Sequence, residues 1–246
     1  MEYFEVRESL ERELLVNTFY QSQTTQILKY KHRYFPAIDS ILAANDIPAD
    51  FKYLAVAESG LRINISPKGA AGFWQIIEST AKQYGIKVTI EIDQRYDLEK
   101  STEVACKYFK NAYKKFGNWT MTAASYNLGI GGTAKQAGYQ EITSFYDLYT
   151  NSETSRYVFR ILAFKLILEN PEQYGYIGIE PYPTIKQKVI VVDTAISDLS
   201  AFARSQGSNY KMLKSLNPWL RDKFLPNPDS TSYKITLIEE SERKIK

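Results

Sequence analysis

One histidine and one cysteine stand in 246 residues, and that scarcity removes whole classes of chemistry. A structural zinc site takes three or four Cys or His ligands, so no metal ion is expected, and no motif calls for another cofactor. A Ser-His-Asp triad would have to use His32, which lies in the charged run Lys31-His32-Arg33 and reads as solvated. Cys106 falls between Ala105 and Lys107 in an apolar helical pattern, which makes it a buried, inert thiol with no partner for an internal disulfide. No apolar run approaches the ~20 residues that cross a bilayer. Met1 is followed by Glu2, Glu5 and Glu8 rather than by basic and then apolar residues, so a secretory leader is expected to be absent or already removed. Charge of one sign is also scarce. The net charge is +3, with 11 Lys/Arg against 7 Asp/Glu in residues 181–246 and 20 against 21 before them. That imbalance is too weak to argue for nucleic acid, which draws a dense basic stripe and is not expected as a partner, and would equally suit an anionic polymer such as a cell wall.

The chain is 44% hydrophobic and long enough for one good-sized domain plus a small one. Spacing predicts a helix over 6–28 laid across the main body, and another over 34–44 that ends at Asn45-Asp46-Ile47-Pro48. A short helix over 50–59 follows, with Gly60 as its C-cap. Residues 64–72, rich in Gly, Pro, Ser and Asn, read as a loop, and 73–84 as a helix. Asp93, Arg95 and Asp97 read as a salt-bridged turn. The strongest periodicity runs over 98–116, where Leu98, Thr102, Ala105, Phe109, Ala112 and Phe116 share a face. Helices over 120–127 and 155–168 complete this part. Gly129-Ile130-Gly131-Gly132 follows a helix and has no phosphate-binding Lys nearby, so it is not a nucleotide loop. Residues 174–188, rich in Tyr, Gly, Pro and Lys, read as a linker, after which a strand over 189–192, helices over 199–205 and 210–216, and a strand over 233–238 predict a βααβ module.

Among the acidic residues, Glu58 stands where physics favours the protonated form. Leu54-Ala55-Val56-Ala57 precede it and desolvate it, and the helix C-terminus repels its charge. A carboxylic acid still protonated near neutral pH is what a glycosidic oxygen needs as its bond breaks. The usual glycosidase adds a second carboxylate, and Glu78, Asp93, Asp97 and Glu153 are the candidates, none of them compelling.

Three motifs in order narrow the choice: Glu58-Ser59-Gly60-Leu61, Gly69-Ala70-Ala71-Gly72-Phe73-Trp74-Gln75 and Ser125-Tyr126-Asn127. With Asp93, Arg95 and Asp97 before the third, and Glu153-Thr154-Ser155-Arg156-Tyr157-Val158 after it, residues 35–170 resemble the lytic transglycosylases, in particular the membrane-bound lytic transglycosylase D group. Phe73 stands where Leu is usual and Ser125 where Ala is usual, which touches subsite detail and no reacting group.

The resemblance implies a mainly α, lysozyme-like catalytic domain over 35–175, an N-terminal helical extension over 1–34 and a linker over 176–187. It implies cleavage of the bond between N-acetylmuramic acid and N-acetylglucosamine in peptidoglycan, with Glu58 as acid and then base and a 1,6-anhydro product. The substrate's own acetamido group replaces the second carboxylate. The same resemblance makes Ser59, Phe73, Trp74, Gln75, Tyr126, Asn127, Glu153 and Tyr157 the substrate-binding set. Within it, Tyr126 would hold Glu58 or the acetamido group, and at least one of Phe73 and Trp74 is expected in the core. A bacterial cell-envelope location, most simply the periplasm, and a monomer acting on glycan strands follow. Residues 188–246 resemble a divergent LysM repeat through Val192-Asp193-Thr194, Asp198-Leu199, Gly207 and Leu216-Asn217-Pro218. Glycan binding and plain structural support are both open for it. A hydrolytic lysozyme or chitinase and a silent wall-binding protein stand as alternatives for the whole.

Overall fold

A computed structural model describes residues 3–243, and among them the chain forms ten α-helices and one two-stranded antiparallel sheet. The elements are α1 (Phe4–Phe19), α2 (Gln21–Ala44), α3 (Lys52–Ser59), α4 (Glu78–Gln83), α5 (Leu98–Phe116), α6 (Trp119–Leu128), α7 (Ile130–Gln140), α8 (Ser152–Glu169), β1 (Lys188–Val192), α9 (Leu199–Ser205), α10 (Tyr210–Leu216) and β2 (Tyr233–Leu237). The mainly helical class expected from the spacing is the class observed. The packing divides the chain into two compact units: the described residues up to Arg62 with Thr102–Tyr182, and Ile63–Ser101 with the described residues from Pro183 onward.

The first unit is built around α8. Nine of its residues are buried, from Thr154 to Leu168, and α1, α3 and α6 pack on it. Asn151 starts the helix by accepting the backbone N–H groups of Glu153 and Thr154, and Asn118 does the same for α6 through Met121 N–H. In α5 the predicted face is the buried one, with Thr102, Ala105, Phe109 and Ala112 all at 0% exposure. Cys106 is fully buried there, and burial pushes its thiol up to about 11. His32 is exposed, as its charged neighbours suggest.

Two local readings differ from the structure in this unit. The N-terminal helix breaks at Tyr20, and α2 then runs unbroken through Pro36 to Ala44. Side chains make the break tolerable by taking the carbonyls it releases: Thr24 Oγ1 donates to Asn17 O at 2.6 Å, and Tyr176 Oη to Thr18 O at 2.6 Å. The Gly129–Gly132 stretch does not end the helical region, because α7 starts at Ile130 and carries Gly131, Gly132 and Gly138. Glycine composition disfavours a helix, and packing of Thr133 and Ala137 into the interior outweighs it.

The second unit holds the expected βααβ module, with β1 and β2 paired in the register Lys188↔Leu237, Ile190↔Ile235 and Val192↔Tyr233. It is not cored by that module alone. Ala71, Ile92 and Tyr96 lie in one cluster with Leu199, Ala203, Leu213, Trp219, Leu220, Leu225, Tyr233, Ile235 and Leu237. Backbone bonds join the two segments as well, from Asp93 N to Trp219 O at 2.9 Å and from Arg221 N to Glu91 O at 2.8 Å. The chain-order division expected at residues 176–187 therefore does not coincide with the packing units.

Residues 73–77 are not helical, and α4 is confined to Glu78–Gln83. The cause is the buried Arg95, which makes a bidentate pair with Asp93 and donates to Gly69 O at 2.8 Å and Ile76 O at 3.2 Å. Those carbonyls are held by a guanidinium instead of a helix. Asp97 takes no part in the ion pair; its carboxylate accepts the Lys100 backbone N–H and caps α5.

Candidate active site

Glu58 sits on the last turn of α3, a helix whose Leu54, Ala55 and Val56 are fully buried. Gly60 closes the helix in the left-handed region, φ 61°, its N–H donating to Val56 O at 2.8 Å. This leaves Glu58 half-buried at the end of an otherwise buried element. Four influences set its proton affinity. Desolvation is the largest and raises it; the hydroxyl of Tyr157, which donates to Oε1, lowers it; the positive charge of Arg160 lowers it; the negative charge of Glu153 raises it. Together they push the carboxyl from 4.5 up to about 7. A group with that affinity is available as an acid and as a base at neutral pH.

Tyr157 is 2% exposed, so its hydroxyl holds Glu58 from the interior. The contact observed for that hydroxyl is the Glu58 carboxyl, 99 positions away. The proximity of the Glu58 charge raises the Tyr126 phenol, as burial does. Its ring packs on Tyr108 at 5.1 Å and on Phe109 at 5.4 Å, with Phe51 behind Phe109 at 4.5 Å. Asn127, half-buried at the end of α6, accepts from Thr154 Oγ1 at 2.7 Å and donates to Glu153 Oε1 at 3.2 Å. Glu153 is exposed in the first turn of α8. Ser59 is buried, and its hydroxyl donates to Ala55 O at 3.1 Å within its own helix. The first unit thus brings Glu58, Tyr126, Asn127, Glu153 and Tyr157 into one neighbourhood.

Phe73, Trp74 and Gln75 belong to the second unit. Phe73 and Trp74 are 3% and 0% exposed, so both rings are core residues and neither offers a face to a ligand. At least one of this substrate-binding pair is expected in the core, and both lie there. Gln75 is half-buried at φ 48°, and its Nε2 donates to Asn64 O at 3.1 Å and to Gly72 O at 2.9 Å. Its amide nitrogen therefore stabilises the turn that carries it.

Sequence reasoning did not single out Arg160. The signal was present, since Glu153, Tyr157 and Arg160 recur at four and three residues and share one stripe of α8. No group of three or more His, Cys, Asp or Glu among the described residues is arranged to hold a metal ion, and none of the described helices is long and apolar enough to cross a membrane.

Residues 37–148 match the family model of the transglycosylase SLT domain, and residues 188–241 that of the soluble lytic transglycosylase C-terminal LysM-like domain. The membrane-bound lytic murein transglycosylase D of Escherichia coli strain K12 is 36% identical over 136 residues, which is 53% of this chain and 30% of that protein. The chain thus covers under a third of the length of that relative. The structure of the 70 kDa soluble lytic transglycosylase SLT70 from Escherichia coli aligns at 26% identity over 56% of this chain and 24% of its own, with a TM-score of 0.47. Both α1 and α8 lie outside the stretch matched by the SLT family model.

Proposed function

We propose that the chain is a lytic transglycosylase, because residues 37–148 match the family model of the transglycosylase SLT domain and residues 188–241 that of the soluble lytic transglycosylase C-terminal LysM-like domain. It cleaves the β-1,4 bond between N-acetylmuramic acid and N-acetylglucosamine in the peptidoglycan of the bacterial cell envelope. The observation that carries this reading is the state of Glu58, half-buried, anchored by Tyr157 and pushed up to about 7.

Protonated Glu58 donates to the glycosidic oxygen as the bond to C1 of the muramyl residue breaks, so the leaving sugar departs as an alcohol. The acetamido oxygen of the muramyl residue stabilises C1. Glu58, now a carboxylate, takes the proton from the muramyl C6 hydroxyl, whose oxygen bonds to C1 and closes a 1,6-anhydro ring. The proton balance is zero and no water is consumed. Asn127 and Tyr126 stand near the carboxyl with polar atoms suited to the acetamido and hydroxyl groups of the sugars.

Digestion of purified sacculi followed by mass spectrometry tests the reading. Anhydro-muramyl ends are expected from the wild type and none from Glu58→Gln. Reducing muramyl ends would instead mark a hydrolase, and Glu153 is then the carboxylate to suspect, because its charge already bears on Glu58. Sacculus binding without turnover would leave a wall-binding role.

A further inference from the structure

The N-terminal helix α1 carries a charge that a surface helix has no need to bury. Glu13 is 0% exposed, and α8 supplies both of its ion-pair partners: Arg156 Nε lies 2.5 Å from Oε1, and Arg160 Nε lies 3.5 Å from Oε2. Oε2 makes no hydrogen bond, so Arg160 is held there by charge alone. A buried carboxylate needs such pairing, and the pairing in turn fixes where the two guanidinium groups stand.

On a helix, residues four apart share a face. Arg156 and Arg160 therefore form the stripe that meets Glu13, while Glu153, Tyr157 and Arg160 form the neighbouring stripe that meets Glu58. Arg160 belongs to both. The groups that bear on Glu58 are Tyr157, Arg160 and Glu153 from α8 and Tyr126 from α6. From α2, Asp39 pairs with Lys52 at the opposite end of α3. Of the groups that bear on Glu58, Arg160 is the cation.

We propose that Glu13 is a positioning residue for Glu58, acting through Arg160: by pairing with that guanidinium, α1 sets how much positive charge reaches the catalytic acid. The N-terminal helix is then part of the working site and not an appendage. The inference rests on the assignment of Glu58 as the acid, and its test includes a readout independent of turnover.

The Glu58 carboxyl is titrated by carbon-13 NMR in wild type, Glu13→Gln and Arg160→Gln, with Glu58→Gln to assign the signal. The kcat/KM profile on peptidoglycan is recorded alongside. In Glu13→Gln the positive charge of Arg160 loses its counter-ion, so the Glu58 midpoint falls; in Arg160→Gln the cation is gone, so it rises. Displacements of about half a pH unit or more in opposite directions are expected, as for a charge that bears directly on a carboxyl. The alkaline limb of kcat/KM follows the same signs. Midpoints that stay put, or that move in the same direction in both variants, overturn the proposal. If Glu13→Gln does not fold, Glu13→Asp, which keeps the charge and shortens its reach to Arg160, takes its place, and a Glu58 midpoint unmoved in that variant overturns the proposal. Opposite displacements by NMR with no transglycosylase activity would uphold the coupling and overturn the functional assignment instead.

Discussion

At the scale of single residues, the property that suits Glu58 to chemistry works against the fold. Its carboxyl is protonated more readily in the folded chain, about 7, than in an unfolded one, 4.5. Below pH 4.5 both states carry the proton and nothing is lost; between 4.5 and 7 the folded state falls behind; above 7 it bears the whole penalty. Glu58→Gln is thus expected to stabilise the protein by up to about 3 kcal/mol at pH 8 and by almost nothing at pH 4, measurable as thermal midpoints at the two pH values. The same variant lowers turnover by at least about 10³-fold, because no other group donates the proton. Tyr157→Phe removes a hydrogen bond that favours the charged carboxylate, so the Glu58 midpoint moves upward and the alkaline limb of kcat/KM shifts to higher pH. A limb unchanged in that variant would show that the hydroxyl does not tune the acid. The raised proton affinity of Glu58 was legible from the apolar run before it and the helix end it stands on. The role of Tyr157 was not, because a tyrosine in a helical pattern looks alike whether its hydroxyl meets a sugar or a carboxyl 99 positions away.

At the scale of elements, local signals succeeded where an element is stabilised by its own pattern and failed where a distant group intervenes. The long amphipathic α5 and the short α9 and α10 were readable to the residue, since each has a buried stripe and a capping side chain close to its start. The stretch after Gly72 was misread as helix because Phe73, Trp74 and Ile76 have helical spacing, while Arg95, 19 positions on from Ile76, takes the Ile76 carbonyl. Gly72 marks the same turn. Its φ is 79°, and a Cβ there would stand 1.9 Å from the Arg95 carbonyl oxygen. Backbone against backbone cannot yield cheaply, so Gly72→Ala is expected to cost at least about 2 kcal/mol in urea unfolding. A cost under half of that would mean that the turn relaxes and that the close approach at Gly72 is of little consequence.

At the scale of the whole molecule, the order of segments along the chain and their packing diverge. The βααβ module shares its core with Ala71, Ile92 and Tyr96, and Arg221 stacks 4.4 Å over the Tyr96 ring. Removing residues 183–246 should therefore expose that apolar surface, and hydrogen exchange at the Asp93 amide, bonded to Trp219 O in the intact chain, should quicken by orders of magnitude. Unchanged protection would make the module separable. The sequence by itself determined the helical class and the βααβ pattern, because each follows from short-range periodicity, whereas Glu58 stands out in it through the order of motifs that resembles a family. Only the tertiary structure decided that Tyr157 and Arg160 attend Glu58, that a buried Glu13 reaches α8, and that the C-terminal module is cored with residues 63–101. Those are contacts between residues tens to more than a hundred positions apart, and periodicity along one element contains no term for which distant element will cover its face.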